Sequence, residues 1–456
     1  MKQRKVSDLN REILRLSVPS ILANVTVPLV GMVDTAIAGH IVASDGFTQA
    51  AYIGSISVGA MMLNLLYWMA GFLRTGTGGL VAQAFGREDY RDCGRCLLRA
   101  LTLALSLSLV FLLIQRPFGR FALFLTSSSE EVGELAFRYF LLRIWAAPAT
   151  LSLMAFRGFF VGMQDSFSSM FTDLIINVIN IVSSLVLSLG IGSWDGLGFD
   201  GIALGTVIAQ FSGLLFAVCV SAAKYRDAAF KGVGLKESMA MQGARSYLSL
   251  NADFFIRSIC FTVIYMGEVM IAARFGDEYL ASNAILMNLL MVFSYFTDGF
   301  AYAGEALTGR FIGARDAGMT RKSIRYVFVW SMGLALLFVA VYAIGGLPVL
   351  RLMTADETVL ACCAQYLPWL MLMPLIGCAA FAWDGIYMGA TASRGIRNSM
   401  ILAMLSFLGV WYGGSALFHP RGAMCLHLLM AAYFAHLLVR TVMMSLDYKK
   451  SILGRL

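Results

Sequence analysis

Residues 17–40, SVPSILANVTVPLVGMVDTAIAGH, form an apolar run of membrane-spanning length that carries one carboxylate, Asp34. A helix crossing a hydrocarbon core needs about 20 predominantly apolar residues, and an Asp near its centre costs roughly 2.5–3.5 kcal/mol on insertion scales. Facing lipid, Asp34 has nothing to offset that cost; facing a partner or a water-filled cavity, it does. Pro19 and Pro28 lie in the same run, and proline frees backbone carbonyls in a helix, which predicts bends there. The plainer alternative puts Asp34 at a helix end with its carboxylate among lipid headgroups.

The rest of the 456-residue chain reads as more of the same: 59% hydrophobic and 14% charged, with a mean hydropathy of +0.75. Soluble domains carry about 25% charged residues, so the chain is expected to be a polytopic membrane protein with the lipid bilayer as its partner. Residues 1–11 are polar and basic (Lys2, Arg4, Lys5, Arg11), and the following apolar run is too long for a signal-peptide core, so no cleavable signal is expected. The net charge of +8 sits in short loops between apolar runs, which is a topology signal and excludes a nucleic-acid partner. The eight cysteines are scattered as small hydrophobes, and the Cys93–Cys96 CxxC has no βαβ pattern around it. No HExxH, Ser/His/Asp set, paired-Cys zinc spacing or Walker sequence is present. Enzymatic catalysis, a metal site, a cofactor and ATP-driven transport by this chain alone are therefore not expected.

Twelve apolar segments recur, at about 13–39, 47–82, 96–118, 134–162, 167–190, 200–222, 250–275, 281–311, 325–348, 359–388, 399–417 and 422–445. Each far exceeds a barrel strand and lacks strict alternation, so each is a helix. The predicted fold class is an all-α integral membrane protein with twelve transmembrane helices in two pseudo-symmetric six-helix lobes. Lys and Arg concentrate in one alternate set of loops (Arg87/Arg91/Arg95, residues 224–245, Arg315/Arg321/Lys322, Arg394/Arg397 and both termini), while loops such as ASDG, TSSSEE and TADET nearly lack them. Both termini are thus expected in the cytoplasm. The longest polar loop divides the chain into residues 1–222, a linker at 223–248 and residues 249–456. Residues of the two halves match at one register: Gly86-Arg-Glu-Asp89 with Gly313-Ala-Arg-Asp316, Tyr139 with Tyr366, Gly158 with Gly385 and Gly162 with Gly389, all offset by about 227 positions. Gly71-Phe72 matches Gly299-Phe300 one position further on, and upstream Asp34-Thr-Ala-Ile-Ala38 aligns with Glu268-Val-Met-Ile-Ala272. Two like-built halves of six helices enter the membrane in the same sense, which puts their pseudo-twofold along the membrane normal.

Two lobes with acids inside the membrane suggest transport by alternating access. In the first half, the fifth segment places Asp173, Asn177, Asn180 and Ser184 at spacings of four, three and four, which lines them on one helix face near Asp34. An Asn pair can hydrogen-bond a carboxylate or complete a cation's oxygen shell; equally, Asn and Ser can serve as packing contacts between helices. In the second half, Glu268 stands where Asp34 stands in the first. Asp298, Tyr302 and Glu305 share a face of the eighth segment, and Asp384 aligns with Arg157. Ion pairing with Arg274, Arg310 or Arg394 is the structural alternative for these acids. Gly71, Gly76, Gly78 and Gly79 lack the strand and Lys of a phosphate loop and read as close helix contacts. A minority of the twenty-six methionines is expected to line an adaptable apolar cavity.

The chain resembles the multidrug and toxic compound extrusion (MATE) transporters, and most closely their DinF-like branch. The stretches that carry the resemblance are VDTAIAGHI, YFLLRIWAAPA through FRGFFVGMQD, NVINIV, DGFAYAGEALTGRFIGARD and WDGIYMGATASRGIRNSM. The resemblance implies an ion-driven antiporter that exports small organic, often cationic or amphipathic, compounds in exchange for protons or sodium, with Asp34 as the cation or proton site. The family's pattern of Asn, three residues, Asp meets Asn180 here, but Ser184 stands where the Asp is expected. That departure removes a carboxylate partner of Asp34 and favours H+ over Na+ as the coupling ion. Sodium-type members use acids that fall on the seventh and tenth helices, where this chain has Glu268 and Asp384.

The sequence is therefore read as a monomeric antiporter of the inner (cytoplasmic) membrane, coupled to protons or alternatively to sodium, that exports small molecules. Asp34 takes up the proton, with Asn177 and Asn180 beside it and Asp173, Ser184 and the bend at Pro28 in support. Glu268, Asp298, Tyr302, Glu305 and Asp384 form a second ion or substrate site. A flippase for lipid-linked precursors is the alternative; it calls for a large basic cavity, for which Arg74, Arg143 and Arg157 are available. A receptor or scaffold would need soluble domains, and no loop is long enough.

Overall fold

The computed structural model describes residues 6–41, 47–126, 129–234, 238, 241–354, 356–420 and 422–455. The basic residues Lys2, Arg4 and Lys5, the loop at 43–46 and Lys236 of the linker lie outside the described residues. Among the described residues, twelve helices are long and apolar enough to cross a membrane. They are α1 (Asp8–Ala38), α2 (Gln49–Gly86), α3 (Tyr90–Phe124), α4 (Glu130–Gly162), α5 (Ser166–Leu189), α6 (Phe199–Phe230), α7 (Tyr247–Phe275), α8 (Glu278–Gly313), α9 (Ala317–Met353), α10 (Leu367–Gly389), α11 (Ser393–Phe418) and α12 (Ala423–Ser451). An isolated bridge between Ile191 and Trp194 is the one β-type pairing among them. Helix is the only open element that satisfies every backbone N–H and C=O within one segment, so runs this apolar fold this way. The all-α, twelve-span architecture is the one the sequence predicts.

Breaks in the helices follow from sequence. α1 continues as one helix through Pro19 and Pro28. α2 turns at Ala70–Gly71 before resuming at Phe72, whereas α8 runs unbroken through the matching Gly299. α4 tightens into a 3-10 turn at Ile144–Ala146, where Pro148 lacks the N–H that would continue the helix behind it. Four turns are built alike: Glu88, Gln164, Arg315 and Thr391 each adopt a left-handed backbone, with φ of 62°, 60°, 54° and 49°. Each stands two residues after one of the matched glycines Gly86, Gly162, Gly313 and Gly389. The internal repeat thus reaches the backbone conformation of individual residues, and it recurs at four turns.

Helix pairings repeat between the halves as well. α2 packs on α4, α3 on α4 and α5 on α6; correspondingly α8 packs on α10, α9 on α10 and α11 on α12. The matched glycines permit these contacts. A Cβ on Gly158 would stand 2.3 Å from the Arg74 carbonyl oxygen, and one on Gly385 would stand 1.9 Å from that of Ala301. Two compact units result. One comprises Leu22–Val81 and Asp89–Tyr247; the other comprises the described residues of Met1–Ile21, Ala82–Glu88 and Leu248–Leu456. In the latter the start of α1 joins the second half of the chain: Glu12 pairs with Arg310 at 2.6 Å, and Asn10 accepts from Trp330. Its core gathers Phe293, Tyr342, Tyr366 and Phe407 with Leu426 and Leu429, and Phe338 meets Phe293 edge to face at 5.3 Å.

Candidate functional site

α1 carries Asp34 into the interior of the first-half unit, where it is 2% exposed. This removes the alternative of a carboxylate among headgroups. The Ser184 hydroxyl of α5 hydrogen-bonds the carboxylate, and the Arg143 guanidinium at the end of the first stretch of α4 attracts it. Ser184 also lies 3.4 Å from the Ile202 carbonyl; its single proton serves one of the two acceptors at a time. Arg143 in turn donates from Nη1 to the Tyr139 hydroxyl, one helical turn earlier, and Tyr67 of α2 adjoins it. Tyr139 is wholly buried. Asp34 Oδ1 has no hydrogen-bond partner among the described residues. One buried oxygen of the acid is thus left unpaired among the described residues, while the carboxylate already has one hydroxyl and one cation beside it.

The polar face of α5 is apportioned to several neighbours. Asn177 donates from Nδ2 to Thr26 of α1 at 2.7 Å. Asn180 donates to Thr206 of α6 at 2.9 Å. Asp173 accepts from Arg157 Nε at 2.8 Å and Nη2 at 2.5 Å. The spacing that lines up these residues is therefore used to fasten α5 to α1, α6 and α4, and Ser184 is the one of the four that hydrogen-bonds Asp34. Arg143 is the neighbour that sequence reasoning left as a cavity residue. Its signal was the Tyr139–Arg143 spacing of four, which stacks a hydroxyl under a guanidinium on one face.

In the second-half unit Glu268 and Asp384 have different partners. Glu268, on α7, is fully buried and faces Asn283 of α8, with Tyr265 and Tyr433 nearby. Asp384, on α10, accepts on Oδ2 from Arg257 at 2.5 Å and from Arg440. Its ion-pair partners are thus Arg257 and Arg440, where the sequence pointed to Arg274, Arg310 or Arg394. Each lies well inside an apolar span, and an arginine at that depth is itself a sign of a buried acid partner. Asp298 lies near Tyr295, Tyr302 is part-buried and Glu305 is fully buried. Position 157 holds an arginine and its repeat mate 384 an acid, each ion-paired within its own unit, so the pseudo-symmetry preserves the pairing while reversing the sign. Cys93 and Cys96 are buried, and Cys93 donates to the Asp89 carbonyl.

Between spans, Asp165 caps α5 and accepts from Ser168, from Lys224 at 2.9 Å and from Tyr225 at 2.7 Å. Burial works to raise its pKa, but these donors outweigh it and hold the carboxyl below its ordinary value.

The family model described as MatE matches residues 19–186 and 254–410, one stretch in each half. The DNA damage-inducible protein F of Escherichia coli K12 is 33% identical over 414 residues, which is 90% of this chain and 88% of that protein. A probable multidrug resistance protein NorM of Bradyrhizobium diazoefficiens is 21% identical, covering 90% of this chain and 86% of its own. Two solved structures share the fold. One is a MOP-superfamily transporter of Pyrococcus furiosus, described by the reverse polarity of its binding pocket (TM-score 0.82, 17% identity, 100% of this chain and 99% of that one). The other is a MATE transporter of Vibrio cholerae in a bent form (TM-score 0.83, 15% identity, 98% of each chain). A family model that spans most of the chain and a relative 33% identical over 90% of it place this protein in the MatE family of membrane transporters.

Proposed function

We propose that this transporter is a proton-coupled antiporter of the DinF-like branch that exports small organic, often cationic or amphipathic, compounds by alternating access. It works as a monomer in the inner membrane with both termini in the cytoplasm, without a cofactor or enzymatic chemistry. The observation that carries the reading is Asp34: a buried carboxylate, balanced by Arg143 and Ser184, with one oxygen open to a proton. When Asp34 is ionised it neutralises Arg143. When it takes a proton the attraction is lost, and among the described residues the guanidinium retains Tyr139 as its hydrogen-bond partner. Breaking a buried pair is unfavourable by up to about 3–5 kcal/mol, which is enough to shift α1 against α4 and α5. Protonation from outside would thus reshape the first-half unit and expel the substrate.

Two observations favour the proton over sodium. Ser184 offers Asp34 a hydroxyl where a second carboxylate would hold a metal cation, and Asp384 is occupied by two arginines. The lipid-flippase alternative loses support because Arg143 and Arg157, two of the arginines it needs in a basic cavity, are committed to Asp34 and Asp173. The test is efflux of a fluorescent organic cation from proteoliposomes under pH and sodium gradients imposed separately. Efflux driven by the pH gradient and abolished in Asp34→Asn is expected. Efflux driven only by sodium overturns the proton reading and moves attention to Glu268. No gradient-driven efflux of any tested cation turns the reading to lipid-linked substrates.

A further inference from the structure

Among the described residues, the second-half unit holds two arginines that share one buried carboxylate. Arg257 of α7 and Arg440 of α12 both place Nη2 on the same oxygen of Asp384, so one negative charge serves two positive ones. Asp384 is 6% exposed and Arg440 is 1% exposed. The arginines have donors to spare: Arg440 Nε and Nη1 and Arg257 Nε make no hydrogen bond among the described residues. Arg440 gains only a 3.3 Å contact from Nη2 to the Ala380 carbonyl and the face of Phe381 at 5.8 Å. A buried guanidinium without enough partners is strongly unfavourable, because its charge and its N–H groups both lose water.

Among the described residues, no second acid forms an ion pair with Arg257 or Arg440. Asp253, one turn before Arg257, is taken by Arg397 and Ser393 at 2.6 Å each. Asp447 of α12 accepts from Ser451 and Tyr387. Glu268 faces Asn283 and Tyr265, and Tyr433 adjoins both it and Arg440. His436, one turn before Arg440 and 1% exposed, packs edge-on against Tyr433 at 4.5 Å. Its Nδ1 meets no side-chain partner among the described residues and lies near the Tyr433 backbone, so it is a further donor in the appropriate tautomer.

We propose that this cluster binds one small monovalent anion of chloride size, on the donors of Arg440 and Arg257 that are not turned to Asp384. Arg257 gives the approach, since its side chain is 18% exposed against 9% for Asp384. Asp384 Oδ1, which makes no hydrogen bond among the described residues, repels an anion, so the site favours a compact ion over sulfate or a dicarboxylate. The ion would hold α7, α10 and α12 together by completing the charge balance that Asp384 begins. This site is separate from Asp34, which lies in the other unit.

The test is the melting temperature of the purified full-length protein in potassium chloride, bromide, nitrate, sulfate or gluconate at constant ionic strength. Chloride, bromide and nitrate are expected to raise it by a few degrees, saturably, over gluconate and sulfate. Arg440→Gln and Arg257→Gln each leave one Arg–Asp384 pair that is neutral, and each is expected to lose the anion response; either suffices if the other fails to fold. Asp34→Asn is expected to keep the response, which separates this site from the transport reading. The same melting temperature in all five salts overturns the proposal and assigns the balancing charge to Glu268. An anion response that persists in the arginine variants places binding elsewhere and overturns it equally.

Discussion

Replacing Asp34 by Asn removes the acid beside Arg143 while keeping the shape of the side chain and its hydrogen bond with Ser184. What remains is a guanidinium with Tyr139 as its hydrogen-bond partner and, among the described residues, no acid beside it. Removing one partner of a fully buried pair costs about 3–5 kcal/mol. Arg143 is part-buried, and its hydroxyl partner persists, so the expected destabilisation is at or below the low end, about 2 kcal/mol. Arg143→Gln is expected to cost a similar amount, because it strands the 2%-exposed Asp34 carboxylate. The double variant Asp34→Asn/Arg143→Gln holds no charge at the site. Its loss should fall short of the sum of the single losses by about 1–2 kcal/mol, the coupling expected for residues in direct electrostatic contact. The assay is equilibrium unfolding of the four proteins in mixed detergent micelles, followed by tryptophan fluorescence. Efflux is measured in parallel, and the double variant should be inactive although more stable than the sum of its parts implies. Strict additivity within about 0.5 kcal/mol would show that Arg143 does not balance Asp34. The view that protonation drives the change by releasing Arg143 would then fall.

Other predictions follow from packing and capping. Gly385→Ala places a methyl 1.9 Å from the Ala301 carbonyl oxygen and should destabilise the α8–α10 contact by about 3 kcal/mol or more. In contrast Gly333→Ala on α9, with nothing within 4 Å of the new Cβ, should gain up to about 1 kcal/mol; melting temperatures that move the same way would refute this. Asp165→Asn keeps the cap but loses the charge that Lys224 and Tyr225 contact, a loss of about 1 kcal/mol given that Lys224 is half-exposed. Because the folded-state pKa of Asp165 is lowered, its contribution is complete above the unfolded value of about 4 and vanishes as pH falls through the lower folded one. The stability gap between wild type and variant should therefore close as pH drops below about 4, and a gap independent of pH would exclude the charge as its cause.

Much of this protein is written in its linear pattern. Twelve apolar runs, the register of about 227 residues and the lone Asp34 follow from composition and spacing, because a hydrocarbon solvent leaves a chain few ways to satisfy its backbone. The repeat was visible at Gly158, Gly162, Gly385 and Gly389, since only glycine fits where one helix backbone meets another. Helix periodicity also put Asp173, Asn177, Asn180 and Ser184 on one face. Periodicity says which residues share a face but not which neighbour that face meets at each level. Tertiary structure therefore decided that Asn177 bonds Thr26, Asn180 bonds Thr206 and Ser184 bonds Asp34. The same holds for the charges. A buried acid demands a cation, but which one depends on helices far apart in sequence: Arg143 lies 109 residues from Asp34, and Arg257 is 127 residues from Asp384. The sequence alone determined that these charges lie inside the membrane, and only the packing of the helices decided how they are paired.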